Sequence, residues 1–431
     1  MKRLVIVGGG PAGVAAAKKA RSLCSPEELA ITIVTGEKPP CYFRPRLTEL
    51  LAGDIREEDM VFPTDNYFQG RQIDLMYPVQ VTRIDSAEKN IYFTGSSFPK
   101  ESLAYDALIL ATGSRAFAPV IPDAHSPAAG TVFSLRTMAD VQEIRQHLTM
   151  NRKKAAILGG GLLGLELARA LKSTGVGEVH VLEASGYLLN RQLNRTASEM
   201  LRMYLEKQEG LRIHTGAQVE TKDLKSRTLE EVLRPICGDG VGTLLYAMGV
   251  RSQFQLAQEA GLTCSKGIVV DETMATSGQC IYAAGDCAEF QGLSWGIVPA
   301  ALEQGEKAAE FACWSLFPHK PKPSPYRQTI PHTAITIGRR KVISVGKAVL
   351  TAEEENSGNW KNHEVLPSGK RGKGVLEEVY VNFVEDCATG LVAGGLAYGL
   401  PEECDPWFSR IRHLEGKVWQ QERGQLDKQF S

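Results

Sequence analysis

The spacing of apolar and polar positions changes along the chain, and the changes divide it. "LVIV" (4–7) is an unbroken apolar run, the signature of a short strand covered on both faces. It stops at "GGGPAG", and "VAAAKKA" (14–20) then has the small-residue character of a closely packed helix. "ITIV" (31–34) returns to the strand pattern. The same succession recurs as "AAIL" (155–158), "GGGLLG", "LELARAL" (165–171) and "VHVL" (179–182). The chain thus carries a widely spaced internal repeat of strand, glycine turn, helix and strand, the shape of a mononucleotide-binding βαβ unit.

Other segments read in the same way. "YDALILATGS" (105–114) and "QCIYAAGDCAEF" (279–290) predict strands that end in glycine turns, and "IVPAALEQGEKAAEFA" (297–312) predicts a helix. The Pro-rich "FPHKPKPSPY" (317–326) reads as a linker. Beyond it, "AITIG" (334–338), "KVISVG" (341–346), "EEVYVNFV" (377–384) and "TGLVAGGLAYG" (389–399) alternate as antiparallel strands do. A polar insert at 352–374 reads as a loop, and "DPWFSRIRHLEGKVWQQE" (405–422) reads as a terminal helix.

Composition narrows the function classes. With 49 Lys and Arg against 50 Asp and Glu the net charge is −1, so neither nucleic acid nor an anionic membrane is an expected partner. The opening "MKRLVIVGGG" has too short an apolar run for a secretory signal, and no run reaches membrane-spanning length, so a cytoplasmic protein is expected. The nine cysteines are scattered without a CxxC, so neither a dithiol relay nor a metal site is expected.

The glycine turns carry the chemistry. In the first, Gly8 makes the tight turn, Gly10 lets backbone approach a diphosphate and Gly13 allows helix and strand to pack closely. The diphosphate would lie on a helix N-terminus, where free N–H groups and the dipole favour negative charge. Neither turn has the GK[ST] ending of a triphosphate-binding loop. Each second strand should offer an acid to a ribose hydroxyl. Glu183 follows "VHVL"; it favours NADH and repels the 2′-phosphate of NADPH, with Arg191 the one nearby cation that could oppose this. After "ITIV" the position is Thr35 and the nearest acid is Glu37, so Glu37, Thr35 or backbone could serve the first ribose. "IYAAGD" puts Asp286 at the end of a strand, suited to polyol hydroxyls such as those of a flavin's ribityl chain.

The ordered set GGGPAG, ATGS, GGGLLG with Glu183, AMGVRS (247–252) and IYAAGD resembles the flavoproteins with two dinucleotide-binding domains. The resemblance is close over 1–320 and loose over 326–431. It implies an α/β fold with two Rossmann-like domains, for FAD and NAD, and a small α+β C-terminal domain. The expected boundaries are 1–118 and 244–322 for the FAD-binding domain, 119–243 for the NAD-binding domain and 326–431 for the interface or acceptor domain. Carried over, FAD would contact Gly8, Gly10, Pro11, Ala12, Gly13, Ala111, Thr112, Gly113, Gly285 and Asp286, with Ala301 near flavin N1. NADH would contact Gly159, Gly161, Gly164 and Glu183, with Glu166 near the nicotinamide or simply an acid of the first helical turn.

"CYFRPRLTEL" (41–50) selects the branch. Its "RPRL" is similar to the YxRPxLxE segment of NADH:rubredoxin oxidoreductases and of the flavin domain of nitrite reductases, which implies that Arg44 and Pro45 line the flavin and its diphosphate. Glu49 stands where related ferredoxin reductases have a lysine near flavin N5, so it is a candidate catalytic residue. Cys41 is the other: a single-cysteine branch, the CoA-disulfide reductases and NADH oxidases or peroxidases, uses one thiol in such a loop, although its NxxC pattern is missing. The family often carries Trp before the helix under the flavin, where Val298 stands here.

The expected function is an FAD-dependent NADH oxidoreductase passing electrons to a small iron–sulfur carrier such as rubredoxin, or to a nitrite-reductase-type partner. The alternatives are a single-cysteine reductase working through Cys41 and an NADH-sensing flavoprotein with little turnover. Monomer and homodimer are both open. Arg339, Arg340, Lys341, Lys370, Arg371 and Lys373 are the basic residues that could receive an acidic partner.

Overall fold

A computed structural model describes residues 1–61, 67–95, 101–123, 125–365 and 379–419. The chain divides into two compact units. One comprises Met1–Leu50, Ile55–Phe117 and Gly249–Thr329, the other Leu51–Asp54, Ala118–Met248 and Ile330–Ser431.

The first unit is built on a five-stranded parallel sheet. Lys2–Val7 is central, between Ala107–Leu110 and Leu29–Val34, with Ile281–Ala283 and Ile73–Met76 outermost. Leu4, Val5 and Ile6 are buried because both faces are covered, which explains the unbroken apolar run. Helix Pro11–Leu23 begins with Pro at its start, where no backbone N–H is needed. It lies against helix Val298–Leu316 through small residues: a Cβ added at Gly305 would stand 2.2 Å from Ala12 O.

The Pro-rich segment after that helix is not a free linker. Lys320 Nζ donates to Leu23 O at 2.7 Å, and Tyr326 is buried with its hydroxyl 2.6 Å from Thr329 Oγ1. The unit also holds an antiparallel sheet of Gln80–Asp85, Asn90–Thr94 and Ser102–Ala104, which the sequence reading did not anticipate.

The second unit holds another five-stranded parallel sheet, in the order Arg212–Thr215, Glu178–Glu183, Lys154–Leu158, Val241–Tyr246, Val132–Ser134. Helix Leu162–Ser173 follows the second glycine turn. The unit continues into an antiparallel sheet, His332–Ile337, Arg340–Gly346, Leu391–Gly399, Tyr380–Asp386 and Trp360–Val365, with helix Pro401–Leu414 packed on one face.

Two readings of this region change. The insert at 352–374 is not all loop: it contains helix Ala352–Asn356 and edge strand Trp360–Val365, with 366–378 outside the described residues. That strand is polar because an edge strand shows one side to water. The basic patch is also reduced. Arg340 is buried on the strand face that meets the Tyr204 ring, 5.4 Å away, and Lys341 pairs with Asp405 at 3.1 Å. Arg339 is exposed, and Lys370, Arg371 and Lys373 lie outside the described residues. Among the described residues no helix is long and apolar enough to cross a membrane.

Candidate functional site

The two glycine turns have the same construction. Gly8 (φ +120°) and Gly159 (φ +119°) hold a backbone conformation that side chains rarely adopt. A Cβ there would fall 2.1 Å from Ala111 O and 2.4 Å from Ala247 O respectively. Gly13 and Gly164 lie so close to the turn that a Cβ would meet the carbonyls of Gly8 and Gly159 at 1.9 Å. Gly10 and Gly161 differ: a Cβ there meets nothing within 4 Å. Both are N-cap residues without a side-chain cap, so the first helical N–H groups have no side chain over them. Backbone left uncovered by side chains at a helix N-terminus fits a diphosphate, and each unit provides such a start.

In the first unit, Thr35 follows its strand and is buried, and Glu37 lies two residues on. The Glu37 carboxylate accepts from the Arg44 guanidinium and from the Tyr42 hydroxyl. Arg44 also donates to the Tyr42 hydroxyl at 3.0 Å and lies over its ring at 5.1 Å. Glu37 and Arg44 are therefore coupled through Tyr42, which the sequence reading did not single out. Pro45 sits in the short helical turn Arg44–Arg46. In the next helix, Glu49 is held by a fork from Arg46, with Nη2 to Oε2 at 2.9 Å and Nε to Oε2 at 3.1 Å.

Cys41 is fully buried, beside Gly9: a Cβ on that glycine would lie 3.2 Å from its Sγ. Burial, aided by the nearby Glu37 charge, pushes the thiol up to about 12. Cys41 is thus an uncharged thiol at neutral pH, and the thiolate is the form that reacts.

Three distant segments meet at Asp286. Ser114 Oγ donates to its carboxylate at 2.6 Å, and Ser252 Oγ donates to its backbone oxygen at 2.6 Å. Gly285 N donates to Gln304 Oε1 at 2.9 Å, and a Cβ at Gly285 would lie 2.9 Å from Ala12 Cβ and 3.6 Å from Ala301 Cβ. Thr112 and Gly113 are tied to the returning chain: Thr112 Oγ1 donates to Gln253 O at 2.6 Å and Gln253 N donates to Gly113 O at 2.9 Å. Ser114 and Ser252 stand inside the ATGS and AMGVRS motifs, so a signal for them existed; Gln304 had none.

In the second unit Glu183 ends its strand beside the glycine turn. Its Oε2 accepts from Gly160 N at 2.6 Å and its Oε1 from Ser185 N at 2.7 Å. Each carboxylate oxygen keeps a further acceptor position. Glu166 is the fifth residue of helix Leu162–Ser173, so it lies past the first turn and is not a dipole-complementing acid. No group of His, Cys, Asp and Glu among the described residues could hold a metal.

A family model described as pyridine nucleotide-disulphide oxidoreductase matches residues 2–305. A nitrite reductase (NAD(P)H) of Bacillus subtilis is 32% identical over 371 residues, which is 84% of this chain and 44% of that protein. An NADH-rubredoxin oxidoreductase of Clostridium acetobutylicum is 30% identical over 345 residues, 80% of this chain and 81% of that one. The chain thus spans less than half of the first relative and most of the second. The crystal structure of NADH:rubredoxin oxidoreductase from Clostridium acetobutylicum is similar with a TM-score of 0.71 and 26% identity, covering 96% of this chain and 94% of that one.

Proposed function

The chain belongs to the pyridine nucleotide-disulphide oxidoreductase family, an enzyme family that binds FAD and uses NADH or NADPH, and from that premise we propose an NADH-dependent reductase of a small iron–sulfur electron carrier. Bound FAD supplies the means to accept a hydride and release electrons one at a time.

The chain's own residues position and screen. Gly10, Pro11 and Ala12 present the bare helix start to the FAD diphosphate, with Gly8 and Gly13 shaping the turn. Arg44 brings a fixed positive charge toward that diphosphate, and Pro45 fixes the backbone beside it. Glu37 holds Arg44 and offers its remaining acceptor capacity to the adenosine ribose. Asp286, set by Ser114 and Ser252, receives ribityl hydroxyls. Ala111, Thr112, Gly113, Gly285 and Ala301 supply backbone and small side chains that leave room for the ring system. Gly159, Gly161 and Gly164 repeat the diphosphate cradle for NADH, and Glu183 accepts from its ribose hydroxyls. Glu166 and Glu49 are the acids assigned to the nicotinamide side and the flavin side.

The observation that supports an external acceptor is the burial of Cys41. A fully buried, uncharged thiol is poorly suited to take electrons itself, and no second cysteine stands close to it in sequence. This favours release of electrons to a separate protein.

The test is an anaerobic titration of the purified protein with NADH and then NADPH, followed by transfer to a rubredoxin. Bleaching of the visible flavin band by NADH, faster than by NADPH, and onward reduction of rubredoxin are expected. A charge-transfer band at two-electron reduction would instead reveal a thiolate against the flavin and return Cys41 to the chemistry. A colourless protein that added FAD does not restore would refute the reading.

A further inference from the structure

The chain leaves the first parallel sheet through strand Ser114–Ala116 and returns through strand Val250–Ser252, and the two form an antiparallel ribbon. Its residues alternate sharply. Ser114 and Ser252 face each other, are 5% and 9% exposed, and bond to Asp286. Arg115 and Arg251 face each other one step along, on the opposite side, and both are exposed. Like charges directly across a strand pair are destabilising. Neither arginine has a carboxylate partner among the described residues. Arg251 is nevertheless held in place: its guanidinium lies 4.1 Å over the Phe117 ring and donates to Val250 O at 3.1 Å.

We propose that Arg115 and Arg251 form the docking contact for an acidic face of the electron-carrier protein. This deepens the acceptor reading above and rests on it. Two guanidinium groups on adjacent strands suit carboxylates on a partner's surface, since each can bond a carboxylate through two parallel N–H groups. Arginine and aromatic side chains are also enriched where proteins meet. The ribbon's other face secures Asp286, so a partner seated on the arginines lies against the segment that shapes the flavin side of the first unit. A repulsive pair kept at this position has a reason if an anionic partner neutralises it.

Steady-state assays with R115E, R251E and the double variant test this, using a rubredoxin of net negative charge as one acceptor and a neutral quinone as the other. The KM for rubredoxin should rise about tenfold in the double variant, and its dependence on salt should flatten. KM for NADH and turnover with the quinone should stay within about twofold, because those steps need no acidic protein partner. R115E alone should raise Tm, since it turns a repulsive cross-strand pair into an attractive one, while it weakens docking; a structural role would not lower function as it raises stability.

An unchanged KM for rubredoxin overturns the proposal, as does a rise confined to the KM for NADH, which would make the pair a nucleotide contact. If wild-type protein reduces the quinone but no rubredoxin, the acceptor reading fails and this inference fails with it. Rubredoxin reduction that ignores the charge reversal refutes this inference alone.

Discussion

Replacing Gly305 with alanine should destabilise the first unit, although the same change in an isolated helix stabilises it. Gly305 lies in the interior of helix Val298–Leu316, where alanine is favoured over glycine by about 1 kcal/mol. Intrinsic propensity alone therefore predicts a gain. The packing predicts the reverse. The new Cβ would stand 2.2 Å from Ala12 O, 2.9 Å from its carbonyl carbon and 3.0 Å from its Cα. All three are backbone atoms, so no rotamer change relieves the clash and the two helices must separate.

Overpacking of this kind costs about 1–3 kcal/mol, and a backbone neighbour puts the cost near the top of that range. After subtracting the propensity gain, the net loss is about 2 kcal/mol. In a unit of roughly 200 residues that corresponds to a fall in Tm of about 4–8 °C. Ala12 also bounds Gly285, so its displacement should loosen the Asp286 corner and speed FAD release. Thermal unfolding by circular dichroism, with and without bound FAD, measures the first effect; flavin fluorescence on dilution measures the second. Gly186→Ala is the control, because a Cβ there meets nothing within 4 Å. An unchanged or higher Tm for Gly305→Ala would refute the close helix approach.

Four other outcomes are expected. Glu183→Gln should raise the NADPH-to-NADH ratio of kcat/KM by about 10- to 1000-fold, since like charges in contact near a surface repel by up to about 4 kcal/mol; steady-state kinetics with both nucleotides decide it. Cys41→Ser should leave NADH-driven flavin reduction and rubredoxin reduction intact, and loss of the second with retention of the first would show a redox thiol. Ser114→Ala removes a bond to the Asp286 carboxylate worth about 1.5–3 kcal/mol, so FAD affinity should fall at least about tenfold by equilibrium titration. His180 and His214, stacked with Nδ1 and Nε2 2.9 Å apart, are both pushed below 6.5 by burial, so the folded state keeps them neutral while the unfolded state takes up protons. Stability they contribute is present above about pH 6.5 and lost as pH falls below it, despite the opposing pull of Glu178 and Glu206; His214→Gln should flatten that acid limb in denaturant titrations at pH 5.5–7.5.

The sequence showed most clearly what is local. An apolar run of four residues ending in GGGxxG states a buried strand, a turn and a helix start within ten positions, and both copies fold that way. Polar edge strands gave weaker signals: Trp360–Val365 reads as loop because its exposed side chains break the apolar alternation. Arg340 shows the opposite error. It stands in a run of three basic residues and reads as surface, yet strand alternation and the Tyr204 ring bury it. Composition records charge but not which way a strand turns it.

What no local pattern could show is the convergence around Ala12. Gly285 and Gly305 come from the far end of the same unit, about 270 and 290 positions away in sequence, yet each is a glycine because Ala12 occupies the space a side chain would need. Each was visible as a glycine, but only the assembled helices explain the need for one. Ser114 and Ser252 follow the same logic with hydrogen bonds: residues from separate segments fix Asp286, one through its carboxylate and the other through its backbone oxygen. The motifs therefore specify where a dinucleotide can bind, while the long-range contacts make the binding surface rigid. A substitution at Gly305, Ser114 or Ser252 should weaken flavin binding although none of them belongs to either GGGxxG turn, and that is the distinction between a chain that merely contains the diphosphate cradle and one that holds the cofactor.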